Sequence, residues 1–443
     1  MATKERVIVV GAGISGLAAA FRLQQSGFDV SVLEAANHAG GRMVTVTTDG
    51  YRFDTGAIVL SRRYRQMLRL ASELGLTSNL VSAPGMIAIP RGGRRHHVHV
   101  DSPLRTLFTR IVSWRAKVSA IGLLRDVARS RPLMDWYDLS MATSLDVESV
   151  YDYVGRHSTA ALRDSLIDPL YRGLYLTDMA DMSVVDFLFI FNNYYGDNLF
   201  TFRDGVGALT AALASRLTVR LGTRVLQVEE HPEEVRVYTC AADGRRLVES
   251  ASACVIGLAA PQMARIYPQL APEYRQPAQS ARYSRILNVQ LALTQPAPEK
   301  AFAVMLSRQE CPELCSIFLD HNKNPLQVPE GRGLATVFWD TRIGETMWEL
   351  PDDQIVARTI AAASRVLPGL ESTVRFGLVT RHDPGIATPE PGAYKALAPL
   401  VRSRAAAQRV HLAGDYFAGG STNSCLCSGE RAAEFVRRRL HPL

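Results

Sequence analysis

The stretch RVIVVGAGISGLAAAFRLQQSGFDVSVLEAANHAGGR, residues 6–42, decides the fold of this chain. Residues 7–10 are a run of β-branched side chains, which is typical of a parallel strand buried on both faces. The run is followed by a GxGxxG series, which consists of Gly11, Gly13 and Gly16. The series leads into residues 17–23, an Ala-rich apolar segment that favours a helix. The pattern predicts a strand, a tight turn and a helix whose N terminus can bind phosphate.

A second buried strand, residues 29–33, follows this helix and ends at Glu34. In such a unit Gly11 permits the turn, Gly13 lets the backbone approach a pyrophosphate, and Gly16 lets helix and strand pack closely. A carboxylate at the end of the second strand can accept hydrogen bonds from a ribose diol. Because all of these features occur in order, the sequence predicts a Rossmann-like dinucleotide site.

Length and composition are those of a globular protein with more than one domain. The chain has 443 residues, of which 47% are apolar and 21% charged, and this length exceeds the usual limit of a single core. No apolar run approaches the roughly 18 residues that span a membrane. The first strand begins after only MATKER, which leaves no room for a signal peptide. We therefore expect a cytoplasmic protein.

The six cysteines do not indicate a disulfide framework in a chain of this length. Cys311 with Cys315, and Cys425 with Cys427, are close in sequence but lack the second pair of a zinc site. We interpret all six as reduced, mostly buried thiols, and we predict no metal site.

The net charge of +7 is concentrated in one segment, because residues 91–131 contain ten basic and two acidic residues. Within it, residues 102–131 place apolar side chains at spacings of mostly three or four, opposite an Arg-rich face. These apolar residues are Leu104, Leu107, Phe108, Ile111, Trp114, Val118, Ile121 and Leu124. We interpret the segment as a solvated helix packed on the core. The alternative is a helix that adsorbs to anionic lipid, and no nucleic-acid partner is expected, since no recognised binding motif accompanies the charge.

Later segments indicate a second region and a return to the first. Residues 187–202 are dense in aromatic side chains, which are more often core than pocket wall but which a pocket for a large apolar substrate would need. Buried β-branched residues return at 255–256, where the chain re-enters the first domain. Residues 410–413 then predict a strand, followed by a Gly-Asp turn and a helix from about Asn423.

Four motifs occur in an order that resembles the superfamily of flavin amine oxidases, protoporphyrinogen oxidases and phytoene desaturases. They are VGAGISGLAAAFRL at 10–23 with Glu34, AGGR at 39–42, LGTRV at 221–225 and LAGD at 412–415. The resemblance extends over most of the chain and implies FAD as the cofactor. It also implies an α/β fold, with a Rossmann-like FAD-binding domain and an interleaved α+β substrate domain.

The predicted domains alternate along the chain. We expect residues 1–85, 201–268 and 400–443 to form the FAD-binding domain. Residues 86–200 and 269–399 are expected to form a substrate-binding domain with a helical subregion.

The resemblance also implies a set of cofactor-binding residues. They are Gly11, Gly13, Ile14, Ser15, Gly16, Glu34, Ala35, Gly41, Arg42, Gly56, Ala57, Ile58, Val225, Gly414, Asp415, Thr422 and Asn423. In this assignment the first glycine turn holds the pyrophosphate and Glu34 holds the adenosine ribose. Arg42 contacts phosphate and ribityl, and Asp415 contacts ribityl or pyrophosphate.

Three further elements of this assignment surround the two ring systems. Residues 56–58 would lie near the isoalloxazine, and Val225 would face the adenine through its backbone. The helix N terminus at residues 422–423 would direct amides at the pyrimidine edge of the flavin, where negative charge develops on reduction.

Two positions depart from the amine oxidase pattern. Asn288 stands where those enzymes commonly carry a lysine near the flavin, and Ser421 stands near the place of an aromatic residue that forms half of the substrate cage. Residues 381–397 look more like the strand lead-in of porphyrinogen oxidases and desaturases, with His382 where tryptophan is frequent. We therefore select Asn288, His382 and Tyr416 as the candidate catalytic side chains.

The leading hypothesis is an FAD-dependent oxidase, dehydrogenase or desaturase that removes hydride from a carbon of an apolar or cyclic small molecule. One alternative is an amine oxidase with an atypical substrate cage. A second is a flavin enzyme that isomerises double bonds without net oxidation. A third is a non-catalytic flavoprotein that serves as a membrane or partner module through residues 102–131.

Overall fold

The computed structural model describes residues 4–403 and 408–441. Residues 1–3, 404–407 and 442–443, which the predicted FAD-binding segments include, lie outside the described residues. The strands are β1 (Arg6–Val10), β2 (Asp29–Leu33), β3 (Thr45–Thr48), β4 (Tyr51–Asp54), β5 (Leu60–Ser61), β6 (Leu80–Ala83), β7 (Met86–Arg91), β8 (Arg94–His99), β9 (Leu199–Phe202), β10 (Thr218–Arg220), β11 (Thr223–Glu230), β12 (Val235–Ala241), β13 (Arg246–Ala251), β14 (Ala253–Ile256), β15 (Ile286–Leu293), β16 (Ala303–Met305), β17 (Leu314–Leu319), β18 (Gly333–Trp339), β19 (Val374–His382) and β20 (Val410–Leu412).

The helices are α1 (Ile14–Gln25), α2 (Arg65–Glu73), α3 (Pro103–Leu107), α4 (Trp114–Ser130), α5 (Val150–His157), α6 (Ala160–Leu162), α7 (Asp168–Tyr175), α8 (Val184–Asn193), α9 (Gly207–Ala214), α10 (Ala260–Ile266), α11 (Pro272–Ser280), α12 (Asp320–Lys323), α13 (Thr341–Thr346), α14 (Asp352–Val366), α15 (Ala393–Ser403) and α16 (Thr422–Leu440). A π-helical turn, Arg163–Ile167, joins α6 to α7.

A five-stranded parallel sheet, in the order β10-β2-β1-β14-β20, forms the first layer. The β-branched run of β1 alternates between two cores. Val7 and Val9 pack with α1 and α16 on one face, and Ile8 and Val10 pack with β11, β12 and α10 on the other. Burial on both faces is the physical reason for the uninterrupted apolar run. The predicted Rossmann-like sheet is confirmed.

A seven-stranded mixed sheet, in the order β19-β15-β18-β17-β16-β7-β8, forms the second layer. Its pairs are antiparallel except β16 with β7. The helices between α4 and α8 pack on one face of this sheet, against Phe302, Phe318 and Phe338. Helices α13 and α14 pack on the other face, against Val289 and Trp339. The sheet and its helices confirm the predicted α+β region, and the domain boundaries stay a prediction.

The structure corrects the interpretation of residues 102–131. Instead of one helix with its apolar face on the core, the chain forms α3 and α4 with a break between them. In the break Ile111 and Val112 are buried, and Ser113 caps a new helix by accepting a hydrogen bond from Ala116 N at 3.4 Å. The restart changes which side of the helix faces the core. The side chain of Leu107 lies outside the described part of the chain.

Two buried cations connect distant elements. Arg172 is fully buried and donates to the carbonyls of Leu306, Cys311, Pro312 and Leu314 and to Asp340. Lys323 is also fully buried, and its Nζ lies 2.8 Å from Asp54 Oδ2 and 2.7 Å from Asp320 Oδ1. Each cation is therefore paired with carboxylate, as burial of a charge requires.

The histidine of β20 gives a prediction about acid stability. His411 is buried, and both of its ring nitrogens lack a hydrogen-bond partner among the described residues. Burial lowers its pKa to about 4, although Glu230 opposes the shift. Because the unfolded chain takes up this proton first, we expect the free energy of unfolding to fall as pH drops from 6.5 to about 4, by on the order of 3 kcal/mol.

Denaturant unfolding at the two ends of this pH range measures the effect. In His411→Phe, which keeps an aromatic ring beside Phe435, the loss should be smaller by that amount. An equal loss in both proteins would contradict the assignment to His411.

Within the residues described, no helix is long and apolar enough to cross a bilayer.

Candidate active site

One continuous cavity of about 510 Å³ lies between the two layers. Its walls come from the glycine turn after β1, the loops that follow β2, β4, β14 and β20, the N terminus of α16, helices α7 and α8, and strands β15, β17 and β18. The carboxyl ends of parallel strands are where such sheets bind ligands. The cavity thus combines a glycine-rich polar part with an apolar part.

The glycine turn leaves space for a ligand at one position and for the helix at another. A Cβ added to Gly13 would meet no atom within 4 Å, whereas a Cβ on Gly16 would lie 1.9 Å from the carbonyl oxygen of Gly11. Gly11 has a φ of +94°, which other residues rarely adopt. Gly16 therefore serves helix–strand packing, and Gly13 borders the open cavity.

Glu34 lies at the cavity wall with its carboxylate held in place. Its Oε2 accepts a hydrogen bond from Ala12 N at 2.7 Å, and its Oε1 accepts one from Ala36 N at 2.8 Å. A carboxylate oxygen has a second lone pair, so each can still accept from a ribose hydroxyl. Ala35, in contrast, is not among the lining residues.

Arg42 and Asp415 form an ion pair across the cavity wall. Arg42 donates to Asp415 Oδ2 at 2.8 Å and to the carbonyl of Gly385 at 2.5 Å, and Tyr283 donates to Asp415 Oδ1 at 2.6 Å. Burial acts to lower the pKa of Arg42, but Asp415 outweighs it and the pKa is raised. Arg42 is therefore a permanent cation in the same cavity wall as the glycine turn.

The N terminus of α16 forms another part of the wall. Ser421 caps the helix by accepting from Ser424 N at 3.0 Å, and Ser421 and Thr422 both line the cavity. The first amides of a helix have no intrahelical acceptor, so they attract negative charge. Cys425 also faces the cavity, and burial raises its pKa to about 12, so this thiol stays neutral.

The three candidate catalytic residues lie in different places. His382 lines the cavity, and its Nε2 lies 2.9 Å from the carbonyl of Thr55. Burial, and then Arg42, lower its pKa, so the ring is neutral at pH 7. Because a carbonyl only accepts, Nε2 carries the hydrogen and Nδ1 is left as an acceptor.

Asn288 and Tyr416 are not among the lining residues. Asn288 is fully buried in β15, where it donates to the carbonyl of Thr55 at 2.8 Å and accepts from Gln290 at 3.0 Å. The amide nitrogen and the amide oxygen of Asn288 therefore each already have a hydrogen-bond partner. Tyr416 is buried against Phe417, and the structure brings neither residue to the cavity surface.

Most of the predicted cofactor-binding residues come together at this cavity. Those that line it are Gly11, Gly13, Ile14, Ser15, Glu34, Gly41, Arg42, Gly56, Ala57, Ile58, Asp415 and Thr422. Those that do not line it are Gly16, Ala35, Val225, Gly414 and Asn423. Val225 packs in β11 beneath the sheet, and Gly414 packs against Leu258 and Ser428. The individual roles of all these residues stay predictions.

The apolar part of the cavity is lined by side chains that sequence reasoning did not assign. They are Val59, Tyr64, Leu174, Tyr175, Leu176, Ile190, Tyr194, Ile286, Phe318, Phe338 and Ile386. Burial raises the pKa of Tyr64, Tyr175 and Tyr194, so their hydroxyls remain protonated. The aromatic run at 187–202 was a signal for Tyr194. Residues 257–259, which also line the cavity, could have been found from the rule that ligands bind at the carboxyl ends of parallel strands.

These features fit a dinucleotide such as FAD. The cavity offers an open glycine turn, the amide ends of α1 and α16, the cation Arg42 and the carboxylate Glu34. The glycine turn, the helix amides and Arg42 match a pyrophosphate or an electron-rich ring. The carboxylate of Glu34 matches a ribose.

Comparisons with known proteins agree with this fit. A coproporphyrinogen III oxidase from Bacillus subtilis (strain 168) is 27% identical over 188 residues, which cover 41% of this chain and 39% of that protein. A putrescine oxidase from Kocuria rosea is 28% identical over 258 residues, which cover 56% of this chain and 52% of that protein. The chain thus matches between about two fifths and one half of the length of these curated relatives.

The solved structure of cyclohexylamine oxidase from Brevibacterium oxydans IH-35A aligns with a TM-score of 0.77 at 16% identity, covering 99% of this chain and 100% of that one. This likeness shows the fold. The profile of the family described as flavin containing amine oxidoreductase matches residues 14–437. The chain therefore belongs to this family, which confirms the predicted FAD cofactor and the predicted class of FAD-dependent oxidoreductase.

Proposed function

We propose that this protein oxidises a carbon centre of an apolar or cyclic small molecule, in the manner of porphyrinogen oxidases and desaturases. The observation that carries the proposal is the apolar part of the cavity. Its walls are Leu, Ile, Phe and Tyr side chains, and the acidic residues that line the cavity are Glu34, Asp383 and Asp415. Asp415 is paired with Arg42 and Asp383 with Arg285. Glu34 has no such ion pair, but it accepts from Ala12 N and Ala36 N and is the carboxylate that would hold the cofactor ribose, so none of the three is assigned to a substrate cation.

Bound FAD supplies the acceptor for the hydride that leaves the substrate carbon. The chain itself would hold the cofactor through the glycine turn, Glu34 and Arg42. The walls formed by Phe318, Phe338 and their apolar neighbours would position the substrate and exclude water. His382 lines the cavity, and its neutral Nδ1 would accept a proton from a substrate carbon or heteroatom.

Oxidation of an amine is the second candidate. It is favoured by the length of the match to the putrescine oxidase from Kocuria rosea, 258 residues. Against it, Ser421, which stands near the place of an aromatic residue in amine oxidases, caps α16, and Asn288, which aligns with a lysine common in those enzymes, donates to the carbonyl of Thr55. An amine would therefore meet neither the cage nor the lysine of those enzymes.

Anaerobic mixing of the flavin-loaded protein with separate probes tests these candidates. The probes are a porphyrinogen, an apolar polyene, putrescine and cyclohexylamine. We expect loss of the oxidised-flavin absorbance with the porphyrinogen or the polyene and none with the amines. Reduction by the amines alone would favour the second candidate, product formed without consumption of an acceptor would indicate an isomerase, and silence with every probe would overturn a catalytic role in favour of a binding module.

A matched pair of variants ties the activity to the cavity. Phe318→Leu removes part of the apolar wall and should raise KM for the active probe without lowering flavin content. Phe28→Leu makes the same exchange at a buried site beside His441, outside the cavity lining, and should leave KM unchanged. Equal KM values in both variants would show that the apolar part of the cavity does not bind the substrate.

A further inference from the structure

Helix α4 is apolar on two sides. One side faces the core, where Ala116 and Leu123 are buried and Ala120 and Val127 are partly buried. Asn192 of α8 fixes this side by donating to the carbonyl of Val127 at 2.9 Å and to Ser130 Oγ at 3.1 Å. One side of α4 is therefore packed on the core, and its second apolar side takes no part in that packing.

The second apolar side of α4 faces solvent together with the neighbouring α3 and the break. The exposed fractions are 70% for Trp114, 51% for Val118, 50% for Ile121 and 51% for Leu124. Leu104 and Phe108, from α3 and the residue that follows it, are 72% and 84% exposed. We call these six residues the apolar face. Their spacing on α4, four, three and three residues, places one stripe along the helix, and such a cluster of large side chains marks an interaction site.

Basic side chains surround the apolar face. Arg105, Arg110, Arg115, Arg125 and Arg129 are all exposed, and Lys117 is partly exposed and donates to the carbonyl of Thr109. The single acidic residue of α4, Asp126, accepts from Tyr153 at 2.9 Å and lies 3.1 Å from His157 Nδ1 and 3.8 Å from Arg129 Nη1. Arg105, Arg110 and Arg125 have no ion pair with any described residue. The positive charge of these three arginines is thus uncompensated within the described residues.

We propose that the apolar face docks on an anionic lipid bilayer surface, with α4 lying in the interface. Large apolar side chains enter the boundary between headgroups and acyl chains, while the surrounding arginines contact lipid phosphates. A second copy of the chain fits poorly, because a two-fold contact would bring the same basic face against itself. A lipid surface satisfies both the apolar stripe and its charge without a matched protein shape.

The experiment is co-sedimentation of the full-length, flavin-loaded protein with vesicles. One preparation contains equal parts of phosphatidylglycerol and phosphatidylcholine, and the other contains phosphatidylcholine alone. We expect binding to the anionic vesicles that weakens with added salt, and a blue shift of the fluorescence of the exposed Trp114 on binding. Equal binding to both preparations, or no binding to either, overturns the proposal.

Two variants and two matched controls assign the binding to the face. Trp114→Ser/Val118→Ser and Arg105→Gln/Arg110→Gln/Arg125→Gln should each weaken partitioning at least tenfold. The controls make the same kinds of exchange on other exposed surfaces and should bind like the wild type. They are Leu247→Ser/Val248→Ser and Arg245→Gln/Arg246→Gln/Arg358→Gln.

Flavin content and melting temperature, which should not change, show that every variant folds. Unchanged vesicle binding in both face variants overturns the proposal. So does a lipid-free dimer that Trp114→Ser/Val118→Ser converts to a monomer, because that result would identify a second copy as the occupant. These measurements do not depend on which substrate the cavity accepts.

Discussion

Lys323→Met is expected to lower the free energy of unfolding by about 3–5 kcal/mol, because it leaves two buried carboxylates without their cation. Asp54 and Asp320 are 1% and 0% exposed. Oδ1 of Asp320 has Lys323 as its only polar partner among the described residues, at 2.7 Å. Nζ of Lys323 also donates to the carbonyl of Ile58 at 3.2 Å, so we expect a lower flavin content as well.

The stability that Lys323 contributes depends on pH through the pKa of its amino group. Burial acts to lower the pKa of Lys323, but Asp320 and Asp54 outweigh it and raise the pKa above its ordinary 10.5. The lysine therefore contributes its full stabilisation at neutral pH and loses it only as pH rises through that raised pKa.

Denaturant unfolding of three proteins tests this prediction. Lys300→Met removes an exposed lysine and should change stability by less than about 0.5 kcal/mol. Asp320→Asn/Lys323→Met removes one of the stranded charges and should recover part of the loss, because Asp54 still accepts from Gln327 at 2.8 Å and Val206 N at 2.9 Å. A Lys323→Met protein as stable as Lys300→Met would show that the cluster is not held by charge.

The second large effect is expected from alanine substitutions at two glycines of the turn after β1. One variant should lose both stability and flavin binding, and the other should lose flavin binding alone. Gly16→Ala places a Cβ 1.9 Å from the carbonyl oxygen of Gly11, so α1 must move away from β1. Such overpacking costs about 1–3 kcal/mol and displaces the phosphate-binding amides. We expect both a lower melting temperature and loss of most bound flavin.

Gly13→Ala should leave the apoprotein as stable as wild type, because the added methyl meets no protein atom within 4 Å. The methyl instead occupies the side from which a pyrophosphate approaches the backbone. We expect at least tenfold weaker flavin binding, which corresponds to about 1.4 kcal/mol. Titration of each apoprotein with FAD, followed by flavin fluorescence, separates the two glycines.

Gly122→Ala, within α4, is the control for the glycine exchange, since its Cβ would lie 3.9 Å from the closest atom. This helix interior position should become slightly more stable and keep its flavin. Wild-type affinity in Gly13→Ala would contradict the placement of the pyrophosphate at this turn.

The sequence predicted best those elements whose residue pattern is compatible with only one type of local structure. Residues 7–10 are buried on both faces, and their uninterrupted apolar run matches strand β1 within one position. The predicted strand at residues 29–33 has the bounds of β2, in which Val30, Val32 and Leu33 are buried while Asp29 is exposed. The glycine spacing fixed the turn, because close helix–strand packing excludes any side chain at Gly16. The helix predicted from about Asn423 is α16, which begins at Thr422 and is capped by Ser421.

The errors arose where two patterns overlap or where tertiary contacts decide. In residues 102–131 a period of three to four fits both apolar sides of α4, and only the break before Ser113 selects which side is buried. The role of Asn288 stays a prediction, but its contacts with Gln290 and the carbonyl of Thr55, away from the cavity lining, depend on tertiary structure that the sequence does not show. The apolar wall of the cavity comes from seven separate chain segments between residues 59 and 386, so no local period could identify Phe318 or Phe338.

The strand order of the parallel sheet has a consequence for biosynthesis. Its neighbours β1, β14 and β20 are contributed by residues near 10, 255 and 410, and α16, which packs a glycine against Ser15 of α1, comes later still. Strand β1 must therefore wait until residues near 410 have left the ribosome before its sheet is complete. During that interval its apolar runs stay exposed, which makes the nascent chain dependent on slow, long-range pairing and a substrate for chaperones.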